Sequence, residues 1–480
     1  MSSEEMERMR TLVAKLPFQI DDEVMEEALG IAADIADNAE GLYAESQTST
    51  QSAGTTAEDE YNSLLETYET PRKRVGQDGI LNGLSIAVKD IIAVKDLRMT
   101  CGSQSCEYIP SYDATAVDRI LAEGGELVGK ANCDAYAFGP TGEFSEFGKV
   151  VNPVAPDHVP GGSSSGSGAA VRGGLVDLAL GTDSGGSVRI PASCCDVVGV
   201  KPTHGLVSRY GLADLAPSTD VIGPLAKDVQ TAAKGLEAIA GHDTRDPSSS
   251  HVTTSPFHTN LTPTSGMRIA VPKSFINKST DEVASVTHDL TESLADNPKV
   301  DLEYIDLDFG DLESAYPLVL AAEYAWVLRQ QFVLRGQGTG YNEEIRSGLL
   351  DAEHNDHVAL RVLPAAYLDA KTNGASYIVG RQEAQAFTER VNTVFEEFDV
   401  LLTPTLRSVP PTYSEVNAAE GMENITGNTM PFSLSGHPAV SITAGYCEKV
   451  PVGVQITAPH FKDKQALRAA YLIEMVREDM

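Results

Sequence analysis

The sequence predicts an α/β protein built on a single large mixed β-sheet, covered by helices on both faces and preceded by an N-terminal helical extension. Three observations lead there. From residue 82 onward, short apolar runs alternate with helical patterns. Long helical patterns fill 312–338 and 356–396, and strand-like runs return after them, as expected for one sheet closed by its C-terminal part. Ahead of both, residues 4–38 carry apolar side chains at helical spacing.

In order along the chain, Met9, Leu12, Val13 and Leu16, then Val24, Ala28 and Ile31, predict two short amphipathic helices. The polar stretch SQTSTQSAGTTAEDE, 46–60, reads as a tether. Together these make residues 1–75 an extension and 76–480 one domain. Within that domain LSIAVKD reads as a strand, DATAVDRILAEGG as a helix ended by glycine, and ELVGKAN as a second strand. VDLALGTD, CDVVGVKPT and MRIAVP continue the buried strands, and DVLLTPT, PAVSITAGY and PVGVQITA complete them.

Of 480 residues, 42% are hydrophobic and 22% charged, enough to build a sizeable core. The net charge of -33 is spread along the chain. Such self-repulsion is tolerated when salt screens it, with a Debye length of about 3 Å at 1 M, so a salt-rich cytoplasm is the expected setting. A direct nucleic-acid partner is not expected, because no basic stripe is present. The acidic start and the absence of a long apolar run point away from a membrane and toward a cytoplasmic location. The six cysteines include no CxxC pair, and the adjacent Cys194 and Cys195 read as small buried hydrophobes. Neither a metal nor a cofactor is expected.

Residues 160–168 read PGGSSSGSG, a composition shared by tethers, phosphate cradles and catalytic loops. A phosphate cradle needs GxxxxGK[ST], but Ser167 and Gly168 follow Gly166, so its lysine is missing. Gly162 to Gly166 satisfies GxSxG around Ser164, yet that motif needs a buried strand before it and NPVAPDHVP precedes it. The continuation AAVRGGLVDLALG runs into helix and strand, which sets the glycine-serine run inside the folded region. A site, not a tether, fits best.

A second run, GTDSGGSVRIPASCC, sets Ser187 after two glycines and before a helical pattern. Backbone N–H groups of Ser184, Gly185, Gly186 and Ser187 could there receive a developing oxyanion. A serine nucleophile needs a base. His158 and His204 are the nearest histidines in sequence, and Lys89, at the end of an apolar strand, is the lysine alternative. Buried there, Lys89 would lose protons more readily and could accept one.

PGGSSSGSGAA with LALGTDSGGSVRIPASCCDVVGVKPTHG resembles the amidase signature family. The likeness extends to GLSIAVKD, TCGS, DATAVDRI, GKANCDAYAFG, LLTPT, NTMPFSLSGHPAVS and PVGVQI, and covers most of 80–475. It implies the amidase signature fold and a Ser, cis-Ser, Lys triad: Ser187 as nucleophile, Ser163 as proton relay and Lys89 as base. It also implies that Asp183 and Arg189 orient the nucleophile's loop and that Ser164 supports the lysine.

The first reading within the family is a free-standing hydrolase that splits a small carboxylic amide into carboxylate and ammonia through an acyl-enzyme. The alternative is the glutaminase component of a tRNA-dependent amidotransferase, which SRYGLADLAPSTDVIGP resembles. Where such glutaminases carry a Tyr- and Lys-rich helix of the type YYDAYYKK, this chain has NGASYIVGRQEAQAF, which favours the hydrolase. An inactive scaffold is the third reading. A homodimer is compatible with the sequence, and Tyr136, Phe138 and the loop 427–437 are candidates for the acyl wall.

Overall fold

The computed structural model describes residues 3–14, 20–39, 51–104, 108–252, 256–262, 266–329, 356–416 and 419–479. Its centre is a twelve-stranded sheet. The strands are β1 (Thr55–Thr56), β2 (Leu64–Arg72), β3 (Ser85–Lys89), β4 (Glu126–Ala131), β5 (Leu178–Asp183), β6 (Val198–Lys201), β7 (Val221–Ala226), β8 (Met267–Pro272), β9 (Val300–Ile305), β10 (Val400–Pro404), β11 (Ala439–Cys447) and β12 (Val450–Thr457). Their spatial order is β1-β2-β4-β3-β5-β7-β6-β11-β12-β10-β8-β9. β3 runs parallel to both β4 and β5, whereas β7 runs antiparallel to its neighbours β5 and β6, so the sheet is mixed as the sequence predicts.

Alternation along the strands covers both faces. Ile86, Val88, Leu178 and Leu180 pack with Val117 and Ile120 of the helix Thr115–Ala122 and with Ala232 and Leu236 of the helix Val229–Ile239. Ala87 and Ala179 face the other way, against Ala170 and Val171 of the helix Ser165–Arg172 and Ala192 of the helix Arg189–Cys194. Because side chains alternate with period two, Lys89 leaves β3 on the same side as Ala87. It therefore points at the helix that the glycine-serine run begins. The predicted helix over 113–125 ends as expected, with Gly124 at φ +81°.

Four strands have no counterpart in the sequence reading. β7 contains Gly223 and Pro224, which read as breakers, yet it lies between β5 and β6. A Cβ on Gly223 would come 2.0 Å from the Val200 carbonyl oxygen, so the close approach of β6 and β7 requires the glycine. β9 is an edge strand with an alternating polar pattern, and β1 and β2 fall upstream of residue 76. The tether reading of 46–60 is corrected over its described part, 51–60. Thr55 and Thr56 pair with Thr67 and Glu66, and the Asp59 carboxylate accepts from the backbone N–H groups of Tyr61, Ser63 and Leu64. Its polarity is that of a solvated sheet edge. Residues 46–50 lie outside the described ones.

The N-terminal helices Ser3–Val13 and Asp22–Ala39 are joined by the Arg10 guanidinium, which donates to both oxygens of Asp22 at 3.3 and 3.0 Å. The helical middle comprises Leu312–Arg329, Asp356–Lys371 and Ala375–Val394; residues 330–338 of the first predicted pattern lie outside the described ones. Phe275, Phe309, Phe387 and Phe432 join it to β8 and β10. A final helix, Asp463–Asp479, packs Ala466, Leu467 and Ile473 into the main core. Among the described residues no helix is long and apolar enough to cross a membrane.

Candidate active site

The carboxyl ends of the parallel strands β3, β4 and β5 open toward one place, where α/β sheets commonly hold their ligands. Lys89 is the last residue of β3 and is wholly buried. Its Nζ donates to Ser163 Oγ at 2.7 Å and to Thr182 Oγ1 at 2.8 Å. Burial pulls the amine down to about 8, against the opposing influence of Cys133, Asp134, Asp183 and Asp220. At pH 7 roughly a tenth of the amine is then neutral, and the fraction grows as pH rises.

Every residue from Pro160 to Val171 is buried. The peptide bond between Gly162 and Ser163 is cis. A Cβ on Gly162 would sit 2.0 Å from Asp134 Oδ2, and one on Gly166 would come 2.4 Å from the Ser63 carbonyl oxygen, so the glycines permit close approach of backbones. The Asp134 carboxylate accepts from Gly142 and Phe144 N–H groups at 3.0 and 2.8 Å, and Asp134 N–H donates to the Ser163 carbonyl. The run is a packed loop. Ser164 Oγ donates to the Thr182 carbonyl at 3.2 Å and accepts from Thr182 N–H at 3.1 Å, so its hydroxyl braces the end of β5 beside the lysine.

After Asp183 the chain turns through Ser184, Gly185, Gly186 and Ser187 into the helix Arg189–Cys194. Ser187 is the one residue of this turn that is only half-buried, and it lines a cleft of about 300 Å³. Among the described residues no acceptor takes the N–H groups of Gly185, Gly186 or Ser187. A Cβ on Gly185 would fall 1.8 Å from Tyr316 Oη, and Gly186, at φ +136°, has Thr429 at its back. Both positions exclude side chains. Thr429 Oγ1 donates to the Gly185 carbonyl at 2.6 Å.

The turn is anchored from beneath by Arg189. Its guanidinium donates to both oxygens of Asp183 at 2.9 Å, to the Thr429 carbonyl at 2.9 Å, to Gln455 Oε1 at 2.8 Å and to Ser433 Oγ at 2.7 Å. Burial alone would raise the Asp183 carboxyl, but the fork of Arg189 outweighs it and holds the group below the ordinary carboxylate value. Ser184 Oγ donates to Asp220, whose carboxyl burial and Asp214 push up to about 7.

The structure thus gathers Lys89, Ser163, Ser164, Asp183, Arg189 and the Ser184–Ser187 turn into one place. The histidines go elsewhere: His158 Nδ1 meets the Pro410 carbonyl at 2.6 Å and His204 Nε2 the Pro217 carbonyl at 3.1 Å. Of the acyl-wall candidates, Phe138 lines the cleft, Tyr136 is buried in the main core, and the 427–437 loop contributes Thr429 behind the turn. Sequence reasoning missed Thr182, Tyr316 and Gln455. A threonine next to last in a buried strand whose other interior residues are apolar or glycine could have flagged Thr182. Tyr316 has no local signal, because the helix that carries it begins well over a hundred residues beyond Ser187.

Residues 42–467 match the protein family described as Amidase. The chain is 37% identical over 409 residues to the glutamyl-tRNA(Gln) amidotransferase A subunit of Halobacterium salinarum, a span of 83% of this chain and 96% of the relative. Among solved structures it is similar to the glutamyl-tRNA(Gln) amidotransferase A subunit of Thermotoga maritima, with 32% identity, a TM-score of 0.71 and coverage of 85% of this chain and 86% of that one. It is also similar to a crystal structure of an amidase, with 28% identity, a TM-score of 0.70 and coverage of 83% and 86%.

Proposed function

The chain belongs to the Amidase family, and from that premise we propose that it hydrolyses an amide C–N bond through Ser187, Ser163 and Lys89. The observation that carries this is the 2.7 Å contact between a buried, readily neutral Lys89 amine and Ser163 Oγ, beside a glycine-bordered turn that presents Ser187 to a cleft. Neutral Lys89 takes the Ser163 hydroxyl proton as Ser163 takes that of Ser187. Ser187 Oγ then bonds to the amide carbon, and the resulting oxyanion faces the unclaimed N–H groups of the turn. On collapse the relay runs backward: Lys89 returns its proton through Ser163 to the departing nitrogen, which leaves as ammonia. Water, activated by the same relay, releases the acid and restores Ser187. Asp183 and Arg189 hold the turn in shape throughout.

Two readings share this chemistry. The names of the relatives support the glutaminase component of a tRNA-dependent amidotransferase, which ranks second on sequence alone. These similarities favour that component over the free-standing hydrolase, which ranks first there. The dispersed acidity supports work in a salt-rich cytoplasm. Ammonia release from simple amides by the purified chain at high salt, abolished in Ser187→Ala, is the test. An unchanged rate in that variant would end the proposal. Release from glutamine only with a co-purifying partner would support the glutaminase component, and no release from any amide, with or without a partner and at any salt, would leave the scaffold reading.

A further inference from the structure

Resting on Ser187 as the nucleophile of amide hydrolysis, we propose that Asp220 is a positioning residue: its buried carboxylate ties the oxyanion turn, through Ser184, to the Leu215 wall of the cleft. One group then sets both the nucleophile's turn and the wall that faces the acyl chain. The sheet register brings these parts together. β5 and β7 run antiparallel with Asp183 opposite Val221, so the next pair outward is Ser184 opposite Asp220, with both side chains on one face. Ser184 Oγ donates to Asp220 Oδ1.

The other carboxylate oxygen holds the wall. Asp220 Oδ2 accepts from the Leu215 and Ala216 N–H groups at 2.7 and 2.9 Å, and the Ala216 carbonyl accepts in return from the Thr219 and Asp220 N–H groups, both at 2.9 Å. Ser184 and Leu215 line the cleft together with Ser187. A shift of this carboxylate therefore moves the turn and the wall together. Stability alone does not favour such a group. Asp220 is buried, and burial with the neighbouring Asp214 raises its carboxyl above the ordinary value, against the pull of Arg209, which is itself paired with Asp214 at 2.9 Å. What the charge provides is a set of hydrogen bonds, from Ser184, Leu215 and Ala216, that fixes the geometry of the cleft.

The test is phosphonylation of the full chain at high salt by an n-alkyl fluorophosphonate, a probe that needs neither the natural amide nor a partner. Ser187 Oγ bonds to phosphorus, fluoride leaves, and the serine proton passes through Ser163 to Lys89. The maximal rate, kinact, reads the turn, and the half-saturating concentration, KI, reads the wall against which the alkyl chain lies. Ser184→Ala should lower kinact about 10- to 100-fold and leave KI within about threefold. Asp220→Ala should lower kinact as much and raise KI as well. The double variant should label no more slowly than Asp220→Ala, because both changes break the same bond. If Asp220→Ala does not fold, Ser184→Ala still decides. A wild-type kinact in Ser184→Ala, a wild-type KI in Asp220→Ala, or single losses that multiply in the double variant would overturn the proposal and leave Ser187 as nucleophile. A wild-type chain in which Ser187 is not labelled would overturn both.

Discussion

Lys89 Nζ lies 2.7 Å from Ser163 Oγ, at the end of β3 and out of reach of water. The pair joins residues 74 positions apart in the chain, and it sets how activity should depend on pH. Burial lowers the amine to about 8, so the neutral, proton-accepting fraction grows as pH rises. We expect kcat/KM to climb through one ionisation near that value and then level off. Lys89→Ala should remove the ionisation and most of the activity, a loss of about 10²- to 10⁴-fold. The unfolded chain keeps this proton to about 10.4, so by linkage the site's contribution to stability rises with pH between those two values. A flat pH profile in the wild type would count against the assignment.

Thr182 Oγ1 accepts the second hydrogen bond from Lys89 at 2.8 Å. Thr182→Val keeps the shape and removes the acceptor. A hydrogen bond to a charged group is worth about 1.5–3 kcal/mol, so the protonated amine should lose favour and the ionisation seen in kcat/KM should move down by about one unit. A profile that does not move would show that Thr182 only fills space.

Arg189 and Asp183 are both wholly buried, and Arg189 also ties the turn to Thr429, Ser433 and Gln455. Arg189→Met leaves a buried carboxylate without its partner. Loss of about 3–5 kcal/mol in denaturant unfolding is expected, with activity falling because the turn loses its anchor. Asp183→Asn, which leaves the guanidinium uncompensated, should be comparably harmful. Wild-type stability in either variant would remove the pair from its anchoring role.

Gly185 approaches Tyr316 so closely that an added methyl would lie 1.8 Å from the hydroxyl. Gly185→Ala should displace the turn, reduce kcat by about 10²-fold or more through a misplaced oxyanion site, and cost about 1–3 kcal/mol of stability. Gly185→Ala with Tyr316→Ala removes the clash and should recover stability ahead of activity. Equal activity in Gly185→Ala and wild type would place the oxyanion elsewhere.

The net charge of -33 predicts a stability that depends on salt. The melting temperature should rise steadily between about 10 mM and 1 M monovalent salt as the Debye length shrinks from roughly 30 to 3 Å. Insensitivity over that range would remove the argument for a salt-rich setting.

What could be read from the chain alone were features governed by near neighbours. The apolar alternation of β3 and β5, the helix stopped at Gly124, and two glycine-serine runs depend on torsions and burial within a few residues. The family likeness then attached roles to Lys89, Ser163 and Ser187. Partners that meet across the sheet were decided by strand order and register. Thr182 meets Lys89 because β3 lies beside β5, and Gln455 meets Arg189 across 266 residues because β12 lies beside β11 and the helix Arg189–Cys194 packs beneath them. β7 was hidden by Gly223 and Pro224, and the edge strand β1 and its neighbour β2 by their polarity. Residue type reports local preference and burial. Which distant element occupies the facing position is settled only when the whole sheet closes.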